Sequence, residues 1–156
     1  MFANHIIDVR GMTTLDVNTF PNAQTSAPQP CLYAQLPSGI HELTYTEASR
    51  RAVDDFVAHI LRIYAEAQAN DVGETRLFLI DNSRVGSQPI KYTLERLREV
   101  LGQMDENYSS RVAILYTNSL LINMIKSLVN SLPRRHREFR IFGVNEREAA
   151  IEWLMR

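Results

Sequence analysis

Short apolar runs alternate with longer amphipathic stretches along the chain, four times between residues 31 and 156. The runs have the length of single strands, and the stretches place apolar residues three and four positions apart, as helices with one buried face do. Strands separated by helices of this length pair in parallel through crossover connections. The pattern predicts an α/β fold with a mixed, mostly parallel central sheet and helices packed against it. The predicted strands are residues 31–36, 76–81, 111–116 and 139–142.

Capping signals predict where two of the helices begin. Thr44 and Glu47 have the spacing of a capping box, in which each side chain satisfies a backbone N–H of the first turn. The first helix is therefore predicted to begin at Thr44, directly after the strand at 31–36 and its Pro-Ser-Gly turn. The last helix is predicted to open with Asn145 and Glu148. It would bury Ala149, Trp153 and Leu154.

Residues 1–30 differ in composition from the body of the chain. Segments 5–10 and 13–17 are rich in β-branched residues and predict one or two N-terminal strands or a hairpin. Residues 18–30 are rich in Pro, Ser, Thr, Asn and Gln and predict a polar surface loop. Residues 31–156 form the α/β body. With 156 residues, 45% of them hydrophobic, the chain has the size and apolar content of one globular domain.

Charge and cysteine content narrow the class of protein. The chain has 17 Lys and Arg against 18 Asp and Glu, so it has no global field that would attract nucleic acid. The single cysteine, Cys31, cannot form an intrachain disulfide and is expected to be a buried strand thiol. No signal peptide is apparent, and the longest apolar stretch, residues 120–132, is interrupted by polar residues and shorter than the ~20 residues of a membrane span. We expect a cytoplasmic protein without an integral membrane segment.

Four segments resemble a known family. They are CLYAQLPSGIHELTYTEA, RLFLIDNS, RVAILYTNSLL and EFRIFGVNEREAAIEWL, and together they extend over residues 31–154. In this order they resemble the STAS domain, and specifically the SpoIIAA-like branch of anti-sigma-factor antagonists. The resemblance implies a mostly parallel sheet with packed helices and a role in recognising a protein or a small ligand rather than in catalysis.

The phosphorylated members of that family carry an Asp-Ser pair several residues after a strand-ending aspartate. Here Asp81 is followed by NSRVGSQPIKYT, which has no such pair. Neither Ser83 nor Ser87 is therefore assigned as a phosphoacceptor.

Catalytic and cofactor-binding signatures are missing from the sequence. There is no nucleophile elbow, no Walker loop and no glycine-rich dinucleotide motif. The histidines occur singly, without metal-ligand spacing, and we expect surface or packing roles for them. The sequence predicts a protein that is not an enzyme and has no cofactor or metal. The histidines are His5, His41, His59 and His136.

A candidate recognition edge lies at the carboxyl ends of two predicted parallel strands, where α/β proteins collect ligands and partners. Turn and helix-cap chemistry is the alternative role for the same residue types. The candidate residues are Asp81, Asn82, Ser83, Arg84 and Ser87 after one strand, and Thr117, Asn118 and Ser119 after the next.

The predicted helix at 120–132, capped by Asn118 or Ser119, is apolar around most of its circumference. A surface helix normally carries one apolar stripe, so we expect its second face to contact another copy of the chain or a different partner. The candidate interface residues are Leu121, Met124 and Val129, and a homodimer is the simplest assembly.

Three functions follow, in order of preference. The first is a non-enzymatic STAS-like regulatory domain that recognises a protein partner. The second is a carrier of a small apolar or lipid-like ligand, held between the sheet and the helix at 120–132. The third is a small-molecule enzyme of unknown class. A filled core favours the first and an apolar pocket of several hundred Å³ the second, whereas titratable groups converging in a pocket favour the third.

Overall fold

The fold is a five-stranded sheet with helices on both faces, seen in a computed structural model that describes residues 28–70, 73–86, 88–117, 126–127 and 137–156. The strands lie in sequence order; β1 pairs antiparallel with β2, and β2 to β5 are parallel. The predicted α/β class and all four predicted strands are confirmed. The elements are β1 Cys31–Gln35, β2 His41–Tyr45, α1 Arg50–Asn70, β3 Arg76–Asp81, α2 Ile90–Gln103, β4 Ser110–Tyr116, β5 Arg137–Gly143 and α3 Arg147–Leu154.

Several predicted segments lie outside the described residues. They are the N-terminal strands at 5–10 and 13–17 and most of the helix at 120–132, of which only Lys126 and Ser127 are described, in helical conformation. Among the helices that are described, none is both long enough and apolar enough to cross a membrane.

Strand β2 corrects the predicted start of the first helix. Thr44 lies inside β2 and is not a helix cap. The chain turns back after β1 through a tight connection in which Gly39 has φ +82° and its N–H donates to the Leu36 carbonyl at 2.8 Å. A left-handed φ costs glycine little, so this position permits the hairpin. Burial alternates along β2, with Leu43 and Tyr45 buried, which is the period of a strand.

Helix α1 begins five residues later than a cap at Thr44 would require. Ser49 is its cap: the Ser49 Oγ accepts a hydrogen bond from the Ala52 N–H at 3.1 Å. The apolar spacing that predicted this helix is correct, since Val53, Phe56 and Val57 are buried.

The central strands are buried on both faces, as predicted for continuously apolar runs. Phe78 of β3 and Val112 of β4 point to the first face, which packs on α1 and α2. Leu79 and Ala113 point to the second face, where they pack with Leu154 of α3. Each face therefore has its own apolar cluster, and the sheet separates them.

Helix α3 corrects a second prediction. Ala149 is exposed, and its neighbour Ala150 is buried instead. The helix follows a short 3-10 turn, in which the Glu146 carboxylate accepts from the Gly143 N–H at 2.6 Å, so the predicted cap at Asn145 is wrong. Because of this turn, α3 begins at Arg147, and Ala150 rather than Ala149 faces the sheet. Leu154 is fully buried as predicted.

Candidate functional site

A cavity of about 150 Å³ lies between the first face of the sheet and helices α1 and α2. Its walls are aromatic and aliphatic, with Phe78 and Val112 from the sheet, Phe56 from α1 and Leu97 from α2. These side chains converge because strand residues alternate between faces and helix residues three or four apart share one face. The predicted apolar stripe of α2 thus faces the sheet and lines this space.

Helix α2 is held to α1 by polar contacts on its outer side. The Asp54 Oδ1 of α1 accepts from the Tyr92 hydroxyl at 2.7 Å and from the Arg96 Nε at 3.0 Å. These bonds place α2 beside α1. Of the residues in α2, Val100 is buried, while Leu94, Leu97 and Leu101 of the apolar stripe are half-buried against the cavity.

Three side chains in the cavity wall have buried polar atoms without hydrogen-bond partners. They are the Asn82 Oδ1, both amide atoms of Gln88, and the Tyr108 hydroxyl. All three residues are more than nine-tenths buried, at 6%, 7% and 8% exposure respectively. Buried polar groups in folded proteins nearly always have partners, and an unsatisfied one costs about 1–3 kcal/mol. These unpartnered atoms can form hydrogen bonds with a ligand that reaches them.

The unpartnered atoms lie toward opposite ends of the sheet. Asn82 follows β3 and Gln88 precedes α2, so both belong to the connection at the carboxyl end of β3. Tyr108 precedes β4 and lies toward the opposite end, because β3 and β4 are parallel. The amide pair therefore marks the end of the cavity where α/β proteins bind ligands.

The cavity wall carries no charge among the residues that the structure describes: none of those lining it is Asp, Glu, Lys, Arg or His. Its titratable groups are phenols. Burial raises the pKa of Tyr108 to about 12 and also raises the pKa values of Tyr45 and Tyr116. These tyrosines stay protonated at neutral pH and are unsuited to act as general bases.

The structure divides the predicted recognition edge between the two faces of the sheet. Asn82 lines the cavity on the first face, whereas Asp81 is part of an ion-pair cluster with α3. The Asp81 Oδ1 accepts from the Ser83 N–H at 2.8 Å, and its Oδ2 lies 3.9 Å from the Arg147 Nη1. The same Arg147 atom lies 2.7 Å from the Glu42 Oε1. Asp81 thus has a structural role, in a turn and in anchoring α3.

The other predicted site residues are at least partly exposed or lie outside the described residues. Arg84 and Thr117 are exposed and Ser83 is half-buried. Outside the described residues lie Ser87, Asn118 and Ser119 of the recognition edge and Leu121, Met124 and Val129 of the predicted interface helix.

Sequence reasoning missed Gln88 and Tyr108. Gln88 stands in a polar loop beside Pro89, and nothing in the local sequence distinguishes a buried glutamine from an exposed one. Tyr108 follows Glu106 and Asn107 in a stretch with the composition of an exposed turn. Both became candidates only when burial and hydrogen bonding were known.

The described histidines have packing roles. The Tyr33 hydroxyl lies 3.0 Å from the His41 Nδ1, and the His59 Nε2 lies 3.3 Å from the Cys31 carbonyl oxygen. Burial, followed by the charge of Arg76, lowers the pKa of His41. No group of three potential metal ligands occurs among the residues the structure describes. His5 and His136 lie outside them.

The Cys31 thiol is fully buried, and this burial raises its pKa to about 12. The thiolate is the reactive form, so we expect the native thiol to be inert. A thiol reagent such as 5,5′-dithiobis(2-nitrobenzoate) at pH 8 should label the folded protein no faster than it unfolds, and should label one thiol per chain at once in denaturant. Rapid stoichiometric labelling of the folded protein would contradict the burial of Cys31.

Comparisons of the chain with protein-family models, with curated proteins and with solved structures found no match. The STAS resemblance stays a prediction. The fold and the site define an α/β domain that has a mainly apolar cavity between its sheet and two of its helices, with no charged residue among the described residues that line it.

Proposed function

We propose that this chain is a non-enzymatic, STAS-like binding domain that holds a small, mostly apolar ligand between its sheet and helices α1 and α2. The observation that carries the proposal is the cavity of about 150 Å³ whose apolar wall includes the unpartnered polar atoms of Asn82 and Gln88. A fully packed core would have neither feature, because protein interiors contain few voids larger than water and few orphaned polar atoms.

The volume of the cavity limits the size of the ligand. An engineered cavity of about 150 Å³ in another protein binds benzene, whereas sites for drug-sized ligands have volumes of about 300–1,000 Å³. The space of about 150 Å³ here suits a molecule of one aromatic ring or a short aliphatic chain. The lipid-like ligand that we first considered is larger than this space.

The chemistry of the wall favours binding over catalysis. Its described residues offer no carboxylate, imidazole or ammonium group, and its phenols have raised pKa values. Proton transfer near neutral pH needs a group with a pKa near the working pH. Amides and phenols are suited instead to orienting a bound molecule through hydrogen bonds.

Recognition of a protein partner is the function we ranked first from the sequence. The residues that prompted it, Leu121, Met124 and Val129, lie outside the described residues, and Asp81 of the recognition edge is engaged by Arg147. A protein partner, a homodimer and a cytoplasmic location stay predictions. The cavity is smaller than the several hundred Å³ expected for a carrier, but it lies among the described residues, whereas the predicted interface does not. We therefore place the binding of a small ligand first.

Methyl NMR during a titration with toluene tests the proposal. We expect saturable shifts of Ile80, Leu97 and Val112, which line the cavity, and little change at Leu77 on the second face. Toluene is slightly larger than benzene and has no polar group, so it tests the apolar wall alone.

A pair of variants controls this titration. Leu97→Trp should fill the cavity and weaken toluene binding about ten-fold or more. Leu32→Trp makes the same substitution at a residue that is 40% exposed on the edge strand, and should leave binding unchanged. Toluene shifts that do not saturate, or that are confined to surface residues, would overturn the proposal.

A further inference from the structure

We infer that the ligand is a neutral molecule with a primary amide group, and that Gln88 and Asn82 bind this amide. The inference rests on the proposed function and adds to it the chemical class of the ligand. It comes from matching hydrogen-bond donors and acceptors at the carboxyl end of β3.

The unpartnered atoms at this end require a defined set of ligand groups. The Gln88 Nε2 carries two N–H donors and needs at least one acceptor, while the Gln88 Oε1 and the Asn82 Oδ1 are acceptors and each needs a donor. The complementary group therefore carries at least one acceptor and two donors. A primary amide has this inventory, with one carbonyl oxygen and two N–H bonds on one nitrogen.

Other common polar groups match less well. An alcohol or a neutral carboxylic acid has a single donor, and one of the two protein oxygens would stay unpaired. A carboxylate has no donor and would bring its charge against the oxygens of Gln88 and Asn82. An ammonium group has donors only and leaves the Gln88 Nε2 without an acceptor.

The charge of the wall supports the same conclusion. Burying an ion without a partner is far more costly than burying a neutral polar group, and the described lining offers no opposite charge. The wall beyond Asn82 and Gln88, formed by Phe78, Leu97 and Val112, is apolar and accommodates the body of the ligand. A compact aromatic or aliphatic amide fits both parts.

Four ligands of similar shape but different polar groups test the inference. Benzamide and acetophenone differ in having an NH₂ or a CH₃ on the carbonyl, benzoate has the same outline with a charge, and toluene has no polar group. Dissociation constants of all four are measured by NMR titration at pH 7.5, where benzoic acid is ionised. We expect benzoate to bind the wild-type protein at least ten-fold more weakly than benzamide.

Variants of the amide residues make the test specific. Gln88→Leu should weaken benzamide binding relative to acetophenone by about ten-fold, the equivalent of roughly 1.4 kcal/mol, and leave toluene binding unchanged or stronger. Asn82→Ala should act in the same direction, and it gives an independent result if Gln88→Leu does not fold. Gln103→Leu, at an exposed glutamine at the end of α2, is the matched control and should change nothing.

The outcomes separate the two proposals. If toluene and acetophenone bind in the cavity but neither variant changes the ratio of benzamide to acetophenone affinity, the amide inference is wrong and the proposed function stands. Tighter binding of benzoate than of benzamide would likewise overturn the amide inference and indicate an anionic ligand. If none of the four compounds binds, both proposals are wrong.

Discussion

Replacing Leu79 with alanine is expected to lower the free energy of unfolding by about 2–5 kcal/mol, the usual range for removing a buried leucine side chain from a core. Leu79 is fully buried on the second face of the sheet, where it packs in one cluster with Leu115 and with Leu154 of α3. Strand β3, which contains Leu79, is hydrogen-bonded to β2 on one side and to β4 on the other. Its backbone therefore cannot move to fill the space that the leucine side chain leaves. The loss therefore includes a cavity term as well as the lost burial.

Urea denaturation measures this change, followed by fluorescence of Trp153, the single tryptophan of the chain. Trp153 lies in α3, and its ring centroid is 5.9 Å from that of Phe142, so its emission reports the second face directly. Leu32→Ala is the matched control, because Leu32 is 40% exposed on β1 and should cost less than about 1 kcal/mol. Equal losses in the two variants would contradict the packing of α3 against β3.

Replacing Gln88 with leucine is expected to raise the free energy of unfolding of the ligand-free protein by about 1–3 kcal/mol. Most substitutions of buried residues lower the free energy of unfolding, so an increase would be an unusual result. The Gln88 side chain is 7% exposed, and neither of its amide atoms has a partner. Leucine is of similar size and removes the cost of leaving two polar atoms dehydrated.

The measurement is urea denaturation of Gln88→Leu beside Gln103→Leu, whose exposed site should give a change within about 0.5 kcal/mol. Stabilisation by Gln88→Leu together with a loss of benzamide affinity would show that stability is given up for binding at this position. A destabilised Gln88→Leu protein would show instead that the amide has a partner in the ligand-free state.

The sheet was predicted well from the sequence because its central strands carry an unambiguous signal. Residues 76–81 and 111–116 are nearly continuous apolar runs, which suit strands covered on both faces. Strand β2 was missed because HELTY is short and half polar, and because Thr44 and Glu47 happen to have capping-box spacing. Its neighbours decided its state: β1 pairs with one edge of β2 and β3 with the other.

The structure places two neighbouring residues of the predicted recognition edge in different surroundings. Asn82 was among the residues expected at the carboxyl end of a parallel strand, and it lines the cavity. Asp81, its neighbour, accepts a hydrogen bond from the Ser83 N–H and lies near Arg147, and its role in recognition stays a prediction. Asp81 is the last residue of β3 and Asn82 follows it directly, and consecutive residues of an extended chain point to opposite faces.

The sequence by itself determined the fold class, four of the five described strands and the apolar faces of α1 and α2, since these follow from local periodicity and from the length of the connections. Only the tertiary structure decided that the stripe of α2 lines a cavity and that Gln88 is buried without a partner. Burial and hydrogen bonding depend on which segments meet across the fold. A glutamine has the same local sequence signal whether water or an apolar wall surrounds it.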